Sequence, residues 1–239
     1  MSPTRRTSLL AGVFYLVTFV SIPTLTLYAD AKTRGFTTGL GSDSSAVLGA
    51  FLEVVVGLAG IGTAVTLYPV VRRYGEQLAL GFVTARVLEA AMIFSGVAAI
   101  MTLVSLHRSG SGGADSATLL VAGDALVGTY NWSFMLGQSL MPGLNALLLG
   151  TLLYRSGLVA RVIPLIGLVG APIHLTAVVL SFFGVIGQIS TWTLLAALPI
   201  AAWEFSLGVY LVVKGLRAPS TERQAVDVHR PATPDLLPA

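Results

Sequence analysis

The sequence contains no cysteine and few charged residues. Without cysteine there can be no disulfide, no thiolate metal site, no iron–sulfur cluster and no cysteine nucleophile. Charged residues account for 10% of the 239 residues, whereas they make up about a quarter of an ordinary soluble domain. A soluble fold of this composition would have too little polar surface to cover its apolar side chains.

Motifs that mark common enzymes are also missing. The chain has no HExxH, no phosphate-binding GxxxxGK and no GxGxxG that follows a strand. A haem held by two histidines is disfavoured because His107 and His229 lie in a predicted loop and tail, which leaves only His174 in an apolar segment. We therefore predict no catalytic residue, no cofactor and no metal site.

Long apolar runs dominate what is present. The chain is 54% hydrophobic, with a mean hydropathy of +0.83. A helix needs about 20 apolar residues to cross a bilayer core of about 30 Å. Runs of that length predict an all-α, polytopic integral membrane bundle of six transmembrane helices, at about 8–28, 46–71, 78–106, 130–154, 162–186 and 190–213. Residues 1–217 would form this domain, and the polar, proline-rich residues 218–239 a disordered cytoplasmic tail.

The positive charges predict how the helices are oriented. Short loops rich in arginine and lysine stay in the cytoplasm. With a cytoplasmic N terminus, that side holds Arg5, Arg6, Arg72, Arg73, Arg155, Arg161, Lys214 and Arg217, against Lys32, Arg34 and Arg108 outside. Both termini are then cytoplasmic, and the protein is a multi-pass protein of the cell (cytoplasmic) membrane. A cleaved signal peptide ending near "ADA" at 29–31 is disfavoured because the preceding apolar run is too long.

These charges also bear on partners. They are spread over short loops and form no patch interleaved with aromatic residues, so nucleic acid is not an expected partner. The lipid bilayer is the expected partner, and a homo-oligomer is left open.

The segment between spans three and four predicts a connection with its own helix. The Ser and Gly cluster after His107 is typical of a flexible loop, and "ATLLVAGDALV" of a short apolar helix. Because that helix is too short to cross a bilayer, we expect an interfacial or re-entrant lead into span four. Within span four, Pro142 and Gly143 predict a kink.

Polar side chains at one depth are the sharpest functional signal. At about 1.5 Å per residue, they lie roughly 12–16 Å from the cytoplasmic helix ends. The hypothesised binding or proton-relay residues are Arg86, Glu89, Glu204, His174 and Asn145. Charges at this depth are costly, so we expect them to face the interior and pair. One arginine facing two carboxylates implies that either a carboxylate holds a proton or water reaches the site. Glu53, near the outer end of span two, is expected to stand apart and snorkel outward.

Three functions fit this pattern. A small-molecule or proton-coupled transporter would use the polar set as a midplane cavity. A structural or accessory membrane protein would use the same charges only to fix helix packing. An intramembrane enzyme would use His174 or Glu89 as acid or base, but no nucleophile stands out. Transport is the interpretation carried forward, with the structural role as its alternative.

Three stretches resemble a bacterial membrane family known as domain of unknown function 4386. They are "LYPVVRRYGEQLALGFVTARVLEA" (67–90), "LGTLLYRSGLVAR" (149–161) and "LPIAAWEFSLGVYLVVKG" (198–215), and the likeness covers roughly residues 8–217. The most specific part is the succession Tyr68, Pro69, Arg73, Leu78, Ala79, Arg86, Val87, Leu88 and Glu89. The family's span-six carboxylate falls on Glu204. The resemblance implies a six-span membrane protein and no particular reaction.

Overall fold

Helices are the regular elements of the structure, a computed structural model that describes residues 3–109 and 115–217. They are α1 (Pro3–Thr18), α2 (Thr24–Leu27), α3 (Ser44–Val71), α4 (Glu76–Ser109), α5 (Ser116–Phe134), α6 (Met141–Ser156), α7 (Val162–Phe182) and α8 (Thr191–Val213). No strand occurs in those two ranges, which confirms the all-α prediction for them. The predicted tail at 218–239 and most of the Ser and Gly cluster lie outside the described residues.

Several of these helices have the length and composition of membrane spans. Within the described residues, five qualify: Ser44–Tyr74, Glu76–Ser109, Ser116–Ser156, Val162–Phe182 and Thr191–Val213. Large apolar side chains point outward along them, including Val65 at 63%, Val169 at 58% and Leu198 at 59% exposure. Such an outer surface suits lipid rather than water, so the fold is that of a membrane protein.

The helices pack in a ring. Each long segment contacts the next one along the chain, and α8 returns to contact α1. Arg5 ties these last two together by donating hydrogen bonds to the carbonyl oxygens of Leu211 (3.1 Å) and Val212 (2.6 Å) at the end of α8. We call the end of the ring that holds Arg5 and Lys214 the terminal end, and the opposite end the far end.

The first predicted span is not one helix from 8 to 28. Helix α1 ends at Thr18, a 3₁₀ turn covers Phe19–Ser21, and the short α2 follows Pro23. Proline has no N–H to continue the helical ladder. The Thr18 hydroxyl also donates to the carbonyl oxygen of Tyr15 at 2.7 Å, a local bond that favours bending. The prediction of one continuous helix over 8–28 missed this break.

The fourth predicted span begins much earlier than residue 130. The prediction of a separate interfacial or re-entrant helix before span four is wrong, because Ser116–Ser156 is one continuous run of helix. Asp115 starts it by accepting a hydrogen bond from the Thr118 N–H at 2.7 Å. The irregularity expected at Pro142 takes the form of a π-helical segment, Met135–Leu140, immediately before that proline.

The other helices begin and end within a few residues of the predicted positions. Together the helices enclose an apolar core at the terminal end. Its buried side chains include Leu67, Phe82, Leu149, Leu152, Leu207 and Leu211. A second buried cluster at the far end contains Tyr28, Phe36, Ile100 and Tyr130. The polar side chains of the interior lie between these two apolar layers.

Candidate functional site

Arg86 lies in the middle of the ring. It belongs to α4 and is only 2% exposed. Its guanidinium carbon is 5.2 Å from the ring centroid of Tyr15 on α1 and 5.8 Å from that of Phe82, one turn earlier on α4. Aromatic faces attract a cation, so these rings help to hold the buried charge.

Two carboxylates complete what we call the charge cluster: Arg86, Glu89 and Glu204. Nη1 of Arg86 donates to Oε2 of Glu89 at 3.0 Å, and Nη2 donates to Oε1 of Glu204 at 2.6 Å. The glutamate side chains are 10% and 13% exposed. Glu89 follows Arg86 by one helical turn, whereas Glu204 reaches it from α8 across the ring. The cluster therefore connects α4 to α8 and has a formal charge of −1.

Asn145 and His174 occupy different positions relative to this cluster. Asn145, on α6, donates from Nδ2 to Oε2 of Glu89 at 2.7 Å and so joins it directly. His174, on α7, places Nε2 2.7 Å from the carbonyl oxygen of Ser139. Because a carbonyl oxygen only accepts, Nε2 carries the hydrogen and Nδ1 of the neutral ring is an acceptor. His174 therefore makes no direct bond to the charge cluster.

Three buried side-chain atoms in this region have no hydrogen-bond partner among the described residues: Nε of Arg86, Oδ1 of Asn145 and Nδ1 of His174. Buried polar atoms are nearly always satisfied, so each exception needs an explanation such as water or a ligand. Because the three atoms lie beside one cluster, this region has hydrogen-bonding groups that could bind water or a ligand.

A cavity of about 200 Å³ adjoins the charge cluster on its far-end side. Its polar wall contains Arg86, Glu89, Glu204, His174 and Gln138, and its other lining residues are Thr18, Phe19, Ser21, Ile22, Val56, Pro142, Ala197, Ile200 and Ala201. Irregular backbone is tolerated at membrane depth only where protein or a cavity covers it. Both irregular segments, the 3₁₀ turn after α1 and the π-helical segment, line this cavity.

Glu53 does not snorkel outward, which corrects the prediction. It is 0% exposed and accepts hydrogen bonds from Tyr28 Oη at 3.1 Å, Tyr130 Oη at 3.1 Å and Gln138 Nε2 at 2.9 Å. The ammonium of Lys32 lies 4.0 Å from the Tyr130 ring centroid. Burial lowers the pKa of the Lys32 ammonium, and the nearby Glu53 carboxylate opposes that shift.

Gln138 links the two polar regions because it binds Glu53 and also lines the cavity. Sequence reasoning missed it. The usable signal was the position of this glutamine shortly before Pro142, where an irregular helix was already expected, since π-helical irregularities are frequent at functional sites.

Comparisons with known proteins identify a family but no activity. The family model described as Domain of unknown function (DUF4386) matches residues 10–215. No curated protein and no solved structure matches the chain. Any function must therefore be argued from the geometry of this chain.

Proposed function

The chain belongs to the DUF4386 family, and we propose that it is a six-span carrier that binds a small polar solute beside Arg86 and Glu204 and exchanges it with protons. The observation that carries this proposal is the cavity of about 200 Å³ at a buried ion-pair cluster with unsatisfied polar atoms. Discontinuous helices beside a midplane site recur in secondary transporters. Here the break after Thr18 provides such a helix end at the cavity.

Five segments qualify as spans by length and composition. In this proposal the additional span is the first one along the chain, formed by α1 together with its irregular continuation. Helix α1 alone has 16 residues, which corresponds to about 24 Å. It packs between α3 and α8 and contacts both along the ring. Residues 19–28 then extend toward the far end, which supports a complete crossing by the first segment.

We place the terminal end in the cytoplasm of the cell. The helix ends there bring together the eight positive residues counted above, against three at the far end. The natural absence of cysteine makes this placement testable without removing any residue. In cells, a membrane-impermeant maleimide should label Ser42→Cys at the far end and leave Gln77→Cys unlabelled until the membrane is opened. The reverse pattern would contradict the orientation.

The second candidate is a structural role for the same charges. It is favoured by the satisfaction of both Arg86 amino groups within the protein, at Glu89 and Glu204. Buried pairs can specify helix register without binding anything. This alternative predicts that joint replacement of the whole charge cluster by apolar residues of similar volume would preserve the bundle, that loss of one partner alone would unfold it, and that no solute or proton would cross.

Proton flux in proteoliposomes under an imposed pH gradient distinguishes the two candidates. Wild-type protein should move protons, and Glu204→Gln should lose the flux while its elution profile and thermal unfolding remain those of a folded protein. Glu76→Gln is the matched control because Glu76 is an exposed carboxylate on α4 away from the cavity. Absence of flux in the wild type, with Glu204→Gln unfolding, would support the structural role instead.

A further inference from the structure

Charge balance in the cavity identifies a class of solute, an inference that rests on the proposed function. We propose that the cavity binds a small protonated alkylamine, which pairs with the Glu204 carboxylate and replaces one proton held by the charge cluster. The ionisable groups that face Glu204 among the described residues are Arg86 and Glu89 on α4, Tyr15 on α1 and His174 on α7.

These groups leave one negative charge uncompensated. Arg86 supplies one positive charge against the two carboxylates, and both of its amino groups already donate to them. His174 is neutral when its Nε2 donates to the Ser139 carbonyl and its Nδ1 accepts. A bound cation would neutralise the remaining charge, whereas an anion would add a further negative charge beside two carboxylates that face a single arginine.

The hydrogen-bonding groups favour the same class. An ammonium group has three donors and no acceptor. The cavity wall offers the carboxylate of Glu204, whose Oε2 accepts no hydrogen bond within the described chain. It also contains His174, which is 5% exposed and has an unpartnered Nδ1. This buried acceptor provides a second observation, independent of the pair of carboxylates.

The remaining wall fits a short alkyl chain. Apolar side chains of Phe19, Ile22, Val56 and Ile200 line the cavity together with Ala197 and Ala201. Its volume of about 200 Å³ lies below the roughly 300–1,000 Å³ of pockets for drug-sized ligands. An amine with a few carbon atoms therefore matches both the polar and the apolar parts.

Proton exchange follows from the excess negative charge of the charge cluster. In the empty cavity, one proton held by the cluster neutralises that charge. When the alkylammonium binds beside Glu204, the O–H bond of the protonated carboxyl group breaks, the proton leaves to water, and the ammonium neutralises the charge in its place. One cation replaces one proton, so the net charge of the occupied cavity is unchanged.

Isothermal titration calorimetry of the full chain in detergent micelles tests this inference. The probes are propylammonium, acetate and acetamide, which are similar in size and differ in charge. Titrations in two buffers of different ionisation enthalpy count the protons released. We expect binding of propylammonium alone, with up to one proton released for each cation bound.

Two variants separate the cavity from the fold. Glu204→Gln should weaken propylammonium binding roughly tenfold to hundredfold, the range of a lost charge-assisted hydrogen bond, and abolish proton release. Ala201→Leu should block binding by filling the cavity while leaving every charge in place. Glu76→Gln should bind as the wild type does.

The outcomes distinguish this inference from the proposed function. Binding of acetate or acetamide in place of propylammonium would overturn the amine assignment and leave a solute cavity. Proton flux that depends on Glu204, with none of the probes bound, would overturn the amine and retain the carrier. Neither binding nor flux would overturn both.

Discussion

Replacement of Arg86 by methionine should destabilise the protein strongly because it leaves two buried carboxylates without their cation. Arg86 is 2% exposed and donates to Glu89 at 3.0 Å and to Glu204 at 2.6 Å. Removal of one partner from a buried ion pair costs about 3–5 kcal/mol, mostly through the charge left behind. We expect a loss of that size in the free energy of unfolding for Arg86→Met.

Removal of the carboxylates as well should restore much of this loss. The variant Arg86→Met/Glu89→Leu/Glu204→Leu contains no unpaired charge, and apolar replacements of whole buried ion pairs are often neutral. A double-mutant cycle between Arg86 and Glu204 should give a coupling energy of about 1–3 kcal/mol. A smaller loss for the triple variant than for Arg86→Met is the signature of a mutually paired cluster.

Equilibrium unfolding in mixed micelles, followed by tryptophan fluorescence, measures these energies. Trp203 is buried next to Glu204 and reports on this region. Arg73→Met is the matched control, since Arg73 is exposed at the terminal end. If Arg86→Met unfolded within about 0.5 kcal/mol of the wild type, as surface substitutions do, the reasoning from a buried, paired charge would be refuted.

Two further predictions concern helix contacts and Glu53. Gly12→Ala should destabilise the bundle because its new Cβ would lie 2.8 Å from the Gly208 carbonyl oxygen on α8, whereas Gly128→Ala meets nothing within 4 Å and should be tolerated. Thermal unfolding compares the two, and equal midpoints would count against close contact of α1 with α8. Tyr28→Phe should cost about 1–3 kcal/mol by removing the donor to Oε2 of buried Glu53, and an unchanged unfolding free energy would show that Oε2 does not depend on this hydrogen bond.

The sequence predicts the depth of the interior polar side chains but not the direction in which each one points. A rise of about 1.5 Å per residue gives the level of a side chain along a membrane helix. Counting therefore put Arg86, Glu89 and Glu204 at similar levels, and the structure places them in contact. Their role in binding remains a prediction. The rotation of α3 about its axis is set by neighbouring helices, so depth alone left Glu53 assigned to the surface.

The sequence also did not predict where the helices break and where they continue. The breaks depend on which backbone groups find partners, and this is decided by tertiary contacts. Pro23 and Pro142 have similar local signals, yet one follows the end of a helix and the other follows a π-helical segment in a continuous run. Similarly, the apolar stretch after Asp115 was too short to be a span alone, but it joins a helix that continues to Ser156.

Water access to the cavity is the central claim, and cysteine labelling tests it most directly. Ala201 lines the cavity, whereas its neighbour Ala202 is exposed on the outer surface of α8, where lipid is expected. A thiol reacts as its thiolate, which forms readily only where water reaches it. In proteoliposomes, a charged methanethiosulfonate reagent should modify Ala201→Cys rapidly and Ala202→Cys hardly at all. Equal protection of both cysteines in a folded protein would contradict a solvent-accessible cavity beside the charge cluster.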